Sequence, residues 1–152
     1  MNNSAIKFAH MLEMKTDVDF IKRCGILAED AAAKGESPVG ALITKNGEII
    51  CEAVEASKNK NDVSCHAELE AIRLAVKKLQ TNDLSECVIY STHEPCIMCS
   101  YAIRFYKIKK VVYRHVINYL AGVSSSMPLL ISKEVPPHWA EAPVIVHLNN
   151  YV

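Results

Sequence analysis

At 152 residues, half of them hydrophobic and 22% charged, the chain has the make-up of an ordinary globular protein and can bury a core without disulfide staples. Seventeen basic and seventeen acidic residues cancel, which points away from nucleic acid or an anionic membrane as the main partner, although Lys107, Lys109, Lys110 and Arg114 offer one local basic stretch. The first fifteen residues are broken by Lys7, His10 and Glu13 and do not read as a secretory leader, and no stretch is apolar for the length of a membrane span.

From Thr16 to Lys34 the residues Val18, Ile21, Ile26, Leu27 and Ala31 recur at helical spacing, with Thr16 or Asp17 as N-cap and Gly35 as the stop. Pro38 begins a β region, with a strand over 39–45, the turn pair Asn46-Gly47, and a strand over 48–54. Asn-Gly between two apolar runs signals a hairpin, because both residues tolerate positive φ. A helix over 65–79 follows, with Leu69, Ile72, Val76 and Leu79 along one side. Next come a buried strand over 87–91, a helix over 97–106, a strand over 110–115 and a loop over 118–126. A helical turn over 129–132 precedes the break at Pro136-Pro137, and a last strand covers 144–148. Strands alternating with helices after a hairpin predict a mixed sheet between helix layers. With no repeat or linker, residues 1–152 read as one domain, its core at about 17–132 and its tail at 133–152 a lid or swapped segment. Trp139 in that tail reads as a packing anchor, with Tyr151 as a second aromatic.

The chemistry lies in a split signature. Cys65-His66-Ala67-Glu68 is followed about thirty residues later by Pro95-Cys96-Ile97-Met98-Cys99. One imidazole and two thiolates suit zinc, and three protein ligands leave a position open for water. Cys96 and Cys99, three apart on a helical turn, put both sulfurs on one side, and Pro95 suits the start of that turn. Glu68, two residues beyond His66, falls beside the metal and not on it, where it can take a proton from zinc-acidified water. The cofactor expected is one Zn2+ per chain with a catalytic water or hydroxide. A redox pair or a structural zinc site is the alternative, the latter needing a fourth ligand from Cys65 or His93. The other cysteines sit in apolar stretches, which fits a reducing, cytoplasmic setting.

These motifs, with Pro38-Val39-Gly40-Ala41, Asn46-Gly47-Glu48-Ile49-Ile50, Glu94 and Val111-Val112-Tyr113, resemble the zinc-dependent cytidine/nucleobase deaminase superfamily. The likeness is greatest to the branch of guanine deaminases and tRNA adenosine deaminases. It implies a three-layer α/β/α sandwich with a five-stranded mixed sheet, commonly assembled into homodimers or larger, with a homodimer expected here. It also implies zinc on His66, Cys96 and Cys99 and Glu68 as proton shuttle. Substrate contacts are expected from Ala67 and Pro95 in the motif, and from His93, which stands where relatives often carry an apolar residue or Cys. Glu94 is expected to bind the motif's own backbone.

The chain departs from the family where substrate is read. An Asn that lies eleven residues before the zinc histidine in relatives is Glu55 here. Facing the pocket, Glu55 favours a substrate edge that donates N–H groups. The tRNA editors end in a basic helix, whereas this chain ends in a Pro-rich, near-neutral tail. Guanine deaminases resemble one another in an acidic loop after the fourth strand, and residues 116–126 here contain no Asp or Glu. The expected activity is therefore hydrolytic deamination of a small aminated heterocycle, a guanine-like purine, pterin, pyrimidine or triazine, as base or nucleoside. A tRNA adenosine-to-inosine deaminase and a non-catalytic zinc scaffold are the alternatives.

Overall fold

The computed structural model describes residues 14–149. Helix α1 (Asp17–Ala33) starts at Thr16, whose hydroxyl accepts from the Asp19 amide while the Asp19 carboxylate accepts from the Thr16 amide. This reciprocal box satisfies amides that the first helical turn leaves unpaired. Gly35, at φ +80°, ends it. Strands β1 (Gly40–Lys45) and β2 (Glu48–Val54) are joined by Asn46 and Gly47 at φ 53° and 77°, the two positive values the hairpin turn requires.

The remaining elements are α2 (Ser57–Lys60), α3 (Ala67–Leu79), β3 (Cys87–His93), α4 (Ile97–Phe105), β4 (Lys110–His115) and β5 (Val144–His147). The sheet order is β2-β1-β3-β4-β5, with β1 antiparallel to both neighbours and β3, β4 and β5 parallel. Alternation along the strands splits the core in two. Ala41, Ile43, Ile89, Val111 and Tyr113 face α3 and α4, burying Ile72, Ala75 and Ile103. Leu42, Tyr90 and Val112 face α1 through Phe20, Ile21 and Cys24. Asp17 anchors α1 to the sheet by accepting from Tyr90 Oη at 2.8 Å and pairing with Lys110 Nζ at 2.6 Å. The three-layer α/β/α architecture with a five-stranded mixed sheet is as expected.

Several boundaries differ from the sequence reading. The four-residue α2 has no apolar periodicity to reveal it, and it forms because the buried Glu36 carboxylate accepts from the amides of Lys58 and Asn59. Strand β3 runs on to His93, where it pairs with His115 of β4. Residues 129–132 form a hydrogen-bonded turn and not a helix. The reason is Arg104, whose buried guanidinium takes the carbonyls of Leu129, Leu130, Ser132 and Ala140, acceptors that a helix would keep for its own amides.

The tail packs on its own chain, with Trp139 edge-on to Tyr101 of α4 at a ring separation of 4.8 Å. Tyr151 lies outside the described residues. Among the described residues no helix is long and apolar enough to cross a membrane.

The fit of α1 on the sheet depends on a missing side chain. A Cβ on Gly40 would lie 2.4 Å from the Cys24 carbonyl and 2.6 Å from Leu27 Cβ. Gly40→Ala must push the helix off β1 and should cost about 2 kcal/mol, roughly a 5 °C fall in melting temperature. A thermal melt unchanged by this substitution would mean that α1 is seated differently.

Candidate metal centre and active site

Strands β2 and β3 run in the same direction, both antiparallel to β1, so their carboxyl ends lie at one edge of the sheet. The chain leaving β2 reaches α3 through His66, and the chain leaving β3 reaches α4 through Cys96. Each of these residues is a helix N-cap with extended backbone, at φ −65°, ψ 149° for His66 and φ −69°, ψ 173° for Cys96. Neither caps its helix with a side-chain hydrogen bond, so the imidazole and thiol are left for other work. Cys99, in the first turn of α4, faces the same point.

The donor atoms of His66, Cys96 and Cys99 lie within 4.8 Å of one another. His66 Nδ1 is 3.6 Å from Cys96 Sγ and 3.7 Å from Cys99 Sγ. A tetrahedral zinc ion with its usual nitrogen and sulfur distances has nitrogen–sulfur edges of about 3.5 Å, so this donor set fits zinc as it stands. Cys96 is held down at about 4 by the thiol of Cys99 and then by His66, and the Cys96 thiolate draws His66 up to about 9. Cys99 is pushed up by its hydrogen bond to Cys96 and by burial. Among the described residues neither Cys65 nor His93 joins the set. Cys65 is turned towards Arg73, 3.9 Å from its guanidinium, and a closed four-ligand structural site therefore does not form.

Glu68 stands beside the cluster and outside it, one oxygen 3.7 Å from Cys99 Sγ. The other accepts from Ser91 Oγ at 3.0 Å, and Ser91 Oγ in turn accepts from the His93 amide. Burial raises Glu68 to about 7, against the opposing pull of its own amide and of Ser91. A carboxyl poised near neutrality can both take and return a proton.

A cavity of about 270 Å³ opens onto this centre, lined by His66, Glu68, Cys96, Glu55, His93 and Ile117 among others. Glu55 is 6% exposed and is pinned by Ser57, whose hydroxyl donates to Oε1 at 2.5 Å. Ala67 and Pro95 are buried behind the motif and are not among the lining residues. Among the described residues, none from 133–149 lines the cavity.

Glu94 does something other than expected. Fully buried, it accepts from the amides of Val123 and Ser124 and from the Ser124 hydroxyl, tying the loop after β4 to the cysteine motif instead of binding the motif's own backbone. Gly122 donates to the Pro95 carbonyl, and a Cβ there would sit 1.9 Å from Ser100 Oγ.

Sequence reading passed over Ser91, Ser57 and Gly122. The signal for Ser91 was present, since period-two alternation from the buried Ile89 puts it on the same face, a hydroxyl where an apolar side chain belongs.

The sandwich, the His-Cys-Cys cluster and the buried carboxylate beside it define the class of zinc-dependent hydrolytic deaminases. Residues 14–115 match the cytidine and deoxycytidylate deaminase zinc-binding region, and the chain belongs to that family. It is 44% identical over 103 residues to a tRNA-specific adenosine deaminase of Aquifex aeolicus, covering 68% of each chain. It is 41% identical over 95 residues to a guanine deaminase of Bacillus subtilis, covering 62% of this chain and 61% of that one. A solved structure from work on A-to-I editing by tRNA:A34 deaminases superposes with a TM-score of 0.76 at 29% identity, covering 85% of this chain and 96% of the other. The aligned stretch thus spans about two thirds or less of the curated relatives' length.

Two substitutions separate metal binding from proton transfer. Cys99→Ser should lose most bound zinc, whereas Glu68→Gln should keep about one zinc per chain, as measured by plasma mass spectrometry on dialysed protein. Zinc loss in Glu68→Gln would place the carboxylate among the ligands. Gly122→Ala, which must displace the loop from the cysteine motif, should bleed zinc to a chelator at least about tenfold faster than wild type. An unchanged off-rate would separate that loop from the metal centre.

Proposed function

We propose that the chain hydrolytically deaminates a small aminated heterocycle of the guanine-like purine, pterin, pyrimidine or triazine type, releasing ammonia and the oxo product. The observation that carries this reading is the buried Glu55 carboxylate on the wall of a cavity of about 270 Å³ beside Glu68. A carboxylate offers acceptors only, so it matches a ring edge that donates N–H groups. Zinc held by His66, Cys96 and Cys99 supplies a Lewis acid that makes water acidic near neutral pH. Glu68 takes the proton from the attacking water and delivers it to the ring nitrogen next to the amino-bearing carbon. It then carries a proton to the departing amine, so that water is consumed and ammonia leaves.

Six free cysteines support a reducing, cytoplasmic setting. The stacked pair Tyr101 and Phe105, 54% and 45% exposed, supports a homodimer.

Similarity to a tRNA-specific adenosine deaminase supports a second reading, editing of adenosine in a tRNA loop. Against a phosphate-binding face, Lys107 lies 3.8 Å from Asp83 and Lys110 pairs with Asp17 at 2.6 Å. The test is ammonia release from a panel of aminopurines, aminopyrimidines, pterins and triazines, alongside a tRNA anticodon stem-loop. At least one small molecule should turn over, and Glu68→Gln should slow it by about a thousandfold or more. Turnover of the stem-loop alone, or an active Glu68→Gln, would overturn the proposal.

A further inference from the structure

Glu55 and His93 are polar side chains on the cavity wall that neither hold the metal nor move the proton. Glu55 lies one residue beyond β2, on the face set by Cys51 and Ala53. Ser57 occupies its Oε1, and among the described residues its Oε2 has no hydrogen-bond partner. Glu55 lines an open cavity, so this oxygen is free to accept from a bound group.

His93 ends β3 on the catalytic face, and its Nδ1 lies 3.0 Å from Thr92 Oγ1. That hydroxyl is already committed in one direction, because it accepts from the Gly40 amide at 3.2 Å. A hydroxyl has one proton to give, and among the described residues Nδ1 is the acceptor placed to receive it. The opposite tautomer would bring two donors to one oxygen and strand the hydroxyl proton in a site only 5% exposed. Burial, and then the neighbouring His115 at a ring separation of 5.2 Å, lower the proton affinity of His93 and favour the neutral ring. The proton on a neutral ring that accepts at Nδ1 sits on Nε2.

We infer that His93, held as its Nε2–H tautomer by Thr92, donates to a carbonyl of the substrate while Glu55 accepts from a ring N–H, so that the pair selects amino-lactams. This rests on the deaminase reading and narrows it. A base moiety such as that of adenosine offers neither a ring N–H nor a carbonyl, whereas a 2-amino-oxopurine or 2-amino-oxopyrimidine offers both. The hydroxyl behind His93 is a positioning group, and its anchor is the backbone of Gly40 at the start of β1.

The test separates tautomer, binding and turnover. Nitrogen-15 NMR of the zinc-loaded protein should show His93 protonated at Nε2 and bare at Nδ1, its signals assigned by their loss in His93→Gln. Guanine and 2-aminopurine, which lacks the carbonyl and the adjacent N–H, serve as binding probes. His93→Phe should weaken guanine binding about tenfold, the loss of one hydrogen bond, and leave 2-aminopurine within about twofold. His93→Gln, which keeps an N–H donor, should recover most of the guanine affinity. A proton found on Nδ1, or equal effects of His93→Phe on the two probes, would overturn the inference. Should this binding pattern hold while no amine on the panel releases ammonia, the His93 assignment stands and the deaminase reading falls.

Discussion

Two helices that begin side by side govern the whole site. Antiparallel pairing of β1 with both neighbours sends β2 and β3 in one direction, and their carboxyl ends deliver His66 and Cys96 to adjacent N-caps. A helix start leaves amides unpaired and carries partial positive charge, which favours thiolate over thiol and carboxylate over carboxylic acid. Three soft donors therefore meet where the backbone already favours negative charge, and Glu68, in the first turn of α3, shares that setting. Its burial opposes the ionised form and leaves it near neutrality. The balance between these two influences suits the carboxyl to the proton-carrying role proposed for it.

Buried polar groups around the centre are arranged so that each one holds another. Ser91 links the His93 amide to Glu68, and Glu94 fastens the loop at Val123 and Ser124 to the cysteine motif. Such groups cost free energy to bury unless they are paired, and paired they fix orientation. The same economy of partners separates the two functions of the cavity. Ser91 engages one oxygen of Glu68, whereas Glu55 and His93, both on the cavity wall, each keep one side-chain polar atom without a hydrogen-bond partner among the described residues.

The sheet, the hairpin and the metal ligands were legible in the sequence because short-range physics sets them. Asn46-Gly47 accepts the two positive φ values of a tight turn, strand alternation splits the core, and Cys96 and Cys99 need only one helical turn to converge. What was not legible depends on contacts far apart in sequence. The carbonyls of residues 129–132 turn to Arg104, about 25 residues earlier, so a segment with helical character remains a turn. Glu94 was expected to bind the backbone of its own motif, yet its partners lie about 30 residues on, in a loop that Gly122 lets close over the motif. Helix α2 has no pattern of its own because Glu36 supplies its first-turn partner from outside.

The central claim is that three side chains hold the zinc and leave one position open, with Glu68 near the ion but off it. X-ray absorption at the zinc edge of the loaded protein tests it most directly. One imidazole nitrogen, two sulfurs and a single further light atom in the first coordination shell are the result the geometry of His66, Cys96 and Cys99 requires. A shell of three or four sulfurs, or one in which the light atom vanishes in Glu68→Gln, would contradict it.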